Sequence, residues 1–161
     1  MIHHVSIPAR EPERVAKVLA ELMNGRCIPF GPLEGGFMAA SGGANGTLLE
    51  VFPERMTLNI PDSDDQAAFA ENPVPPQTWP FHVLLSVPLE AEEVERIGAR
   101  EGWRAKTFDR GMRGHKPFFH VIEFWLENRL MVEVATPAMT QEYLDFLEGS
   151  QTAPMVRSRP A

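Results

Sequence analysis

Two histidines and two glutamates recur at equivalent places in the two halves of this sequence. His4 and His82 each lie in the strand-like run that opens a half, and Glu50 and Glu133 each lie in the strand-like run that closes it. Imidazole and carboxylate groups are borderline-to-hard ligands that suit Zn²⁺, Ni²⁺, Co²⁺, Mn²⁺ or Fe²⁺. The pattern therefore predicts one divalent metal site shared by two copies of a repeat.

Such a ligand set allows a specific kind of catalysis. Four protein ligands leave two positions of an octahedron open, where a substrate with two adjacent oxygens can chelate. The metal then stabilises an enolate or enediolate as a Lewis acid. Glu133 or Glu50, once released from the metal, would serve as the catalytic base. A three-ligand version, with His4, His82 and one glutamate around Fe²⁺, would favour oxygen chemistry.

The repeat also predicts the elements that must position these four residues. Alternating strands, helical spacing of apolar residues and Gly-rich turn signals give each half the order βαβββ. Successive strand residues point to opposite faces, so each histidine or glutamate lies opposite an aliphatic face. If the second face curls inward, the four side chains converge. The predicted elements are strand 2–8, helix 11–23 and strands 26–30, 36–41 and 46–52, then strand 81–87, helix 90–101 and strands 103–108, 118–126 and 129–135.

A segment of different composition joins the two copies. It is rich in proline and contains an acidic run at 62–65, and we expect a short helical turn at 64–70. A connection this long in a compact domain is more often functional or draped over the surface than unstructured. The predicted organisation is one structural domain, with a first module at 1–53, a connecting segment at 54–80, a second module at 81–137, and a C-terminal helix (138–148) and tail within 138–161.

The last hairpin sets the predicted surroundings of Glu133. A two-residue turn at 127–128 suits the positive φ that such turns need. If the antiparallel pairing continues from this turn, Glu133 lies opposite Ile122. It then shares a face with His120 and Phe124, which form a partly apolar pocket wall. The predicted substrate-pocket residues are His120, Phe124 and Met131.

Composition argues against several classes of function. The net charge of -7 argues against nucleic acid or an anionic membrane as partner, because both need a basic surface. No apolar run approaches the length of a membrane span. Cys27 is the only cysteine, which fits a reducing compartment. We therefore expect a cytoplasmic protein with a small-molecule substrate or ligand.

Over residues 1–137 the sequence resembles the vicinal oxygen chelate superfamily, which contains glyoxalases, extradiol dioxygenases, fosfomycin-resistance enzymes and bleomycin-binding proteins. The matching stretches are His4-Val5-Ser6-Ile7, Leu48-Leu49-Glu50-Val51 and Phe81-His82-Val83. The resemblance implies an α+β fold whose two βαβββ modules curl into a cup-shaped half-barrel around a central cavity. It also implies metal ligands at His4, Glu50, His82 and Glu133. Residues 126–129 depart from the Asp-Pro-Asp-Gly turn of many members, and aligning the turns directly would place Met131 at the fourth ligand position.

Three classes of function fit these observations. The leading hypothesis is a metal-dependent enzyme that acts on a small oxygenated substrate by lyase, isomerase or dioxygenase chemistry. The alternative is a metal-free binding protein of the bleomycin-resistance kind, and an interaction scaffold with a decayed site is a third. No set of basic residues can be assigned to glutathione or to a CoA phosphate. Homodimers are the commonest soluble oligomers, so we expect a homodimer whose cup closes within one chain or across the dimer.

Overall fold

Two βαβββ modules and a C-terminal helix make up this computed structural model, which describes residues 2–61, 64–111 and 115–152. The first module contains β1 (His4–Ala9), α1 (Pro12–Leu22), β2 (Arg26–Pro29), β3 (Phe37–Ala40) and β4 (Leu48–Pro53). Two short strands follow, β5 (Met56–Asn59) and β6 (Ala68–Glu71). The second module contains β7 (Leu84–Ser86), α2 (Ala91–Glu101), β8 (Ala105–Arg110), β9 (Phe119–Leu126) and β10 (Leu130–Ala135), and α3 (Pro137–Thr152) ends the described chain.

Each module builds one four-stranded mixed sheet. The strand orders are β1-β4-β3-β2 and β7-β10-β9-β8, with a parallel pair at β1/β4 and another at β7/β10. Within the described residues neither sheet closes into a barrel. The register shows the repeat directly, because Ser6 lies beside Glu50 just as Leu84 lies beside Glu133. The predicted α+β class with paired βαβββ modules is confirmed.

The helices follow from apolar spacing and from residues that favour helix ends. Buried side chains recur every three or four positions from 15 to 22 in α1, and Val94 and Ile97 play the same role in α2. Pro12 occupies the first turn of α1, where its missing N–H is harmless. Gly102 ends α2 in the left-handed conformation at a φ of 73°, which glycine adopts without steric cost.

The aliphatic faces of both sheets contribute to one continuous core. Ile7 and Leu49 from the first sheet and Val132 from the second are at most 1% exposed and belong to the same cluster as the buried faces of α1 and α2. Full burial of each such side chain stabilises the fold by about 1.5–3 kcal/mol. α1 and α2 therefore cover one face of each sheet, and we call the opposite face the open face. Tyr143 of α3 packs against Phe119 at one end of the open face of the second sheet.

The connecting segment does not contain the predicted helical turn. Residues 64–67 have no helical structure, and β5 and β6 pair as an antiparallel hairpin. Phe69 on β6 packs edge-on against Phe52 at 5.2 Å and against Phe30 at 6.3 Å between ring centroids. These ring contacts favour the hairpin, because an isolated helical turn of this length is marginal in water. Residues 62–63 of the acidic run lie outside the described residues.

The last helix is longer than predicted at both ends. α3 begins at Pro137 and continues through Thr152, into the segment predicted as tail. Its Tyr143 packs edge-on against Phe119 of β9, and its Thr140 donates a hydrogen bond to Ser86 of β7. Residues 153–161 of the predicted tail lie outside the described residues. None of the helices in the described chain is long and apolar enough to cross a membrane.

The turn between β9 and β10 ties the second module to the first. The Glu127 carboxylate accepts hydrogen bonds from the backbone N–H groups of Arg10 and Glu11, at 2.9 and 2.8 Å, just before α1 begins. Arg129, which is 8% exposed, forms an ion pair with Glu54 beyond β4. Glu127 and Arg129, two oppositely charged side chains of the same turn, therefore both bind residues of the first module.

Candidate functional site

The hairpin of β9 and β10 has a different register from the predicted one. Its turn contains the three residues 127–129, and the first two have positive φ values of 52° and 56°. A third turn residue after two left-handed ones shifts the pairing by one position. The predicted two-residue turn is therefore wrong, and Glu133 lies opposite Glu123 and not opposite Ile122.

The observed register divides the three predicted pocket residues between different environments. Phe124 is fully buried on the helix-covered face, edge-on to Trp103 at 6.2 Å. The Nδ1 atom of His120 lies 2.7 Å from the Glu142 carboxylate on α3. Met131 is half-buried and, by strand alternation, shares the open face with Glu133 two positions along β10. Of the three, Met131 alone lies on the face of Glu133.

Glu133 lies in a polar cluster on the open face of the second sheet. Its Oε1 atom accepts hydrogen bonds from Nε and Nη2 of Arg110 at 2.8 and 2.6 Å. Its Oε2 atom lies 3.9 Å from Nε2 of His82. Arg110 Nη2 also donates to Glu123 Oε1 at 2.9 Å, and Trp125 Nε1 donates to Glu123 Oε2 at 3.4 Å. We call these five residues the Arg110 cluster.

The Arg110 cluster contains one positively charged guanidinium group and two carboxylates, those of Glu133 and Glu123. Burial lowers the pKa of Arg110, but the hydrogen bonds that it donates to Glu133 and Glu123 outweigh burial and raise this pKa above its ordinary value. The three side chains are 27%, 12% and 21% exposed, so solvent screens their attraction less than at a free surface. The cluster thus keeps an excess of negative charge, which favours a cation near Glu133 Oε2.

His4 and Glu50 form the equivalent pair on the open face of the first sheet. Glu50 is half-buried on β4, and its Oε2 atom accepts a hydrogen bond from Ser6 Oγ at 2.7 Å. His4 is exposed and lies two residues before Ser6 on β1, as His82 lies two residues before Leu84. Each module therefore carries one histidine and one glutamate at corresponding positions. His82 itself lies just before β7, which contains only residues 84–86 of the predicted strand 81–87.

A cavity of about 570 Å³ connects the two histidines. His4 and His82 both line it, together with apolar side chains from both modules that include Val5, Leu49 and Leu85. Cavities of about 300–1,000 Å³ with a mostly apolar lining and a few polar groups are typical of small-molecule sites. His82 is the residue that links this cavity to the Arg110 cluster.

Solved structures share this architecture. The fosfomycin resistance protein FosX from Listeria monocytogenes superposes with a TM-score of 0.54 and 13% identity, covering 90% of this chain and 95% of that chain. Lactoylglutathione lyase from Agrobacterium tumefaciens gives a TM-score of 0.52 and 10% identity, covering 85% and 93%. The chain has the vicinal oxygen chelate fold. No protein-family model and no curated protein matches the sequence.

The vicinal oxygen chelate fold raises the question of whether the four predicted ligands fit a metal ion. In residues 2–61, 64–111 and 115–152, no group of three or more His, Cys, Asp or Glu side chains could hold one. The donors fit in kind, and His82 and Glu133, at 3.9 Å, are nearly close enough, because neighbouring ligand atoms about 2.0–2.2 Å from zinc lie roughly 2.8–3.6 Å apart. The second sheet therefore carries one half of the predicted site, and convergence of all four residues stays a prediction.

Arg110 and Glu123 were not among the residues predicted for the metal site or the substrate pocket. Arg110 ends β8, a strand whose alternation is weak, and nothing in its sequence neighbourhood points to a glutamate 23 residues away. Glu123 did leave a signal, because it is a charged residue inside the otherwise apolar strand β9. Because the predicted register was wrong by one residue, it placed Glu123 on the helix-covered face and not beside Glu133.

Proposed function

We propose that this protein is a metal-dependent enzyme of the glyoxalase-like type, which acts on a small oxygenated substrate by lyase, isomerase or dioxygenase chemistry. The observation that supports the proposal is the His82–Glu133 pair. One carboxylate oxygen of Glu133 is held by Arg110, and the other lies 3.9 Å from the imidazole. The second pair of the same donors, His4 and Glu50, occupies the corresponding positions of the first module.

The chain's own residues have separate roles in this proposal. His82 and Glu133 would hold a divalent ion from the second sheet, and His4 and Glu50 would hold it from the first. The bound ion would polarise the substrate oxygens as a Lewis acid. The cavity, whose lining combines apolar and polar side chains from both modules, would hold the rest of the substrate. Glu133 or Glu50 would accept the proton from the carbon beside the substrate carbonyl.

We also propose that the complete site forms only when the His4–Glu50 pair and the His82–Glu133 pair come together. The pairs lie on separate sheets, and the described residues of one chain do not gather three donors. A second copy of the chain is one source of the missing pair, and a closer approach of the two sheets of one chain is the other. A homodimer is the expected state, and its sedimentation with and without Co²⁺ distinguishes the two routes.

Metal titration of the purified protein tests the proposal. We expect Co²⁺ and Ni²⁺ to bind with a defined stoichiometry, and His82→Gln and Glu133→Gln to weaken this binding at least tenfold. His115→Gln and Glu34→Gln are matched controls, because both residues are exposed and lie outside the cluster. Equal affinities in all four variants, or no binding to the wild type, would refute the metal-dependent function.

A metal-free binding protein is the second candidate. Arg110 already offsets the charge of Glu133, and the cavity of about 570 Å³ is lined by apolar and polar side chains from both modules. The double variant His4→Ala/His82→Ala distinguishes the candidates. If this variant, in buffer with a chelator, still binds bleomycin as well as the wild type does, the binding function is favoured. If the wild type binds it only after metal loading, the enzymatic proposal is favoured.

A further inference from the structure

Two carboxylates face each other directly on β9 and β10. Glu123 and Glu133 are paired in the antiparallel ladder, and their side chains are 21% and 12% exposed. Like charges at such paired positions destabilise a sheet. The guanidinium of Arg110 lies between them and contacts one oxygen of each. A positive charge at this point therefore offsets the repulsion between the two carboxylates.

The contacts of the four carboxylate oxygens are unequal. On each glutamate Oε1 is bound to Arg110, whereas Oε2 faces a different group. Glu123 Oε2 accepts the indole N–H of Trp125 at 3.4 Å, which fixes this carboxylate from its other side. Glu133 Oε2 instead faces His82 across 3.9 Å, a distance longer than a hydrogen bond. Within the Arg110 cluster, Glu133 Oε2 is therefore the carboxylate oxygen that faces His82.

We propose that Arg110 is a positioning residue, which holds Glu133 by Oε1 so that Oε2 points at His82, and that Glu123 anchors Arg110 for this purpose. The inference rests on the proposed function, in which Glu133 and His82 act together. It assigns roles to Arg110 and Glu123 that the ligand pattern alone does not contain. Partners that orient a ligating carboxylate are commonly worth about 10–100-fold in metal affinity.

Arginine is suited to this task in a way that lysine is not. Nε and Nη2 of Arg110 both reach Glu133 Oε1, and Nη2 is shared with Glu123 Oε1. This arrangement needs two N–H groups fixed in one plane, which a guanidinium has and a single ammonium lacks. Arg110→Lys should therefore keep the positive charge between the carboxylates while losing the fixed orientation of Glu133.

The test uses two variants, so that failure to fold does not decide the result. Arg110→Lys retains the charge, and the double variant Arg110→Met/Glu123→Gln removes one charge of each sign, so that Glu133 no longer faces a second carboxylate. Glu95→Gln is the matched control, because Glu95 also contacts β8, through the backbone N–H and hydroxyl of Thr107, and has no contact with Glu133. Thermal unfolding of each variant records any general loss of stability.

Two readouts then measure the orientation of Glu133 without an assay of activity. In the metal-free protein with ¹⁵N-labelled histidine, the His82 imidazole signals, assigned with His82→Gln, should shift in both Arg110 variants and stay in place in Glu95→Gln. The Kd for Co²⁺ should rise by about 10–100-fold in both Arg110 variants and be unchanged in the control.

The outcomes separate this inference from the proposed function. Unshifted His82 signals in both Arg110 variants would overturn the positioning role, whatever happens to metal binding. Shifted signals together with an unchanged Kd for Co²⁺ would also overturn it. If the wild type binds no Co²⁺, the metal-dependent function fails, and the histidine spectra alone decide the role of Arg110.

Discussion

Replacing Arg129 by methionine should destabilise the protein more than any exposed ion pair can account for. Its guanidinium donates to the carbonyl oxygens of Pro76 and Gln77 at 2.6 and 3.0 Å and is paired with Glu54. The side chains of the pair are 9% and 17% exposed. Methionine fills much of the same volume but leaves both carbonyl groups without their charged donor and the Glu54 carboxylate with only the more exposed Arg10, whose Nε lies 3.6 Å away.

The size of the effect follows from this burial. Removing one partner of a buried ion pair costs about 3–5 kcal/mol, because the other charge remains buried without compensation. Glu54 retains some contact with water and its ion pair with Arg10, so we expect the lower end, about 3 kcal/mol. At about 2–4 °C per kcal/mol for a chain of this size, the midpoint of thermal unfolding should fall by about 6–12 °C.

Urea unfolding followed by circular dichroism measures this loss. Arg96→Met is the matched control, because Arg96 and Glu93 form a pair with side chains that are 70% and 46% exposed, for which a loss within about 1 kcal/mol is expected. Adding Glu54→Gln to Arg129→Met should cost less than the sum of the single changes, since the two residues interact directly. Equal losses for Arg129→Met and Arg96→Met would refute the role of this turn in joining the modules.

Three further predictions concern other parts of the fold. A Cβ on Gly25 would lie 1.9 Å from a backbone carbonyl oxygen at the end of β3, so Gly25→Ala should cost about 3 kcal/mol or more in urea unfolding. Gly31→Ala, with nothing within 4 Å, should be nearly neutral, and equal costs would contradict the packing described. Burial raises the pKa of the Cys27 thiol, so iodoacetamide at pH 8 should react more slowly with the folded than with the unfolded protein, and equal rates would count against this. Hydrogen bonds from Arg100 hold the pKa of Glu21 below its ordinary value of 4.5, so the stability from this pair is present above pH 4.5 and lost as the pH falls through the lowered pKa. Glu21→Gln should therefore reduce the loss of stability in this acid range, and an unchanged pH dependence would contradict the pairing.

The repeat was readable from the sequence because it rests on local patterns. Strand alternation, helical spacing and glycine turns act over a few residues, and they recur in the same order in both halves. The register confirms the consequence, since Glu50 and Glu133 each lie on the strand parallel to the opening strand of their module. The architecture was predictable because each element satisfies its own local preference.

The surroundings of Glu133 were not predictable in the same way. They depend on whether the β9–β10 turn has two or three residues, and both lengths are compatible with Asn128, which tolerates positive φ. A shift of one residue moves every side chain of a strand to the other face. It exchanged Ile122 for Glu123 as the neighbour of Glu133 and moved Phe124 into the core.

The hairpin of the connecting segment was missed for a related reason. No sequence signal next to β5 or β6 predicts their pairing, because residues 60–67 separate the two strands. Their position depends on Phe69 finding Phe52 and Phe30 of the first module. Contacts between residues that are distant in the chain are those that local spacing cannot reveal.

Anomalous diffraction from crystals of the full chain loaded with Co²⁺ tests the central claim most directly. If the protein is a metal-dependent enzyme, we expect a cobalt peak bonded to Nε2 of His82 and Oε2 of Glu133. His4 and Glu50, of the same chain or of a second copy, should complete its coordination. Arg110 should remain bound to Oε1 of Glu133. A cobalt peak away from these four side chains, or crystals that take up no cobalt at all, would contradict it.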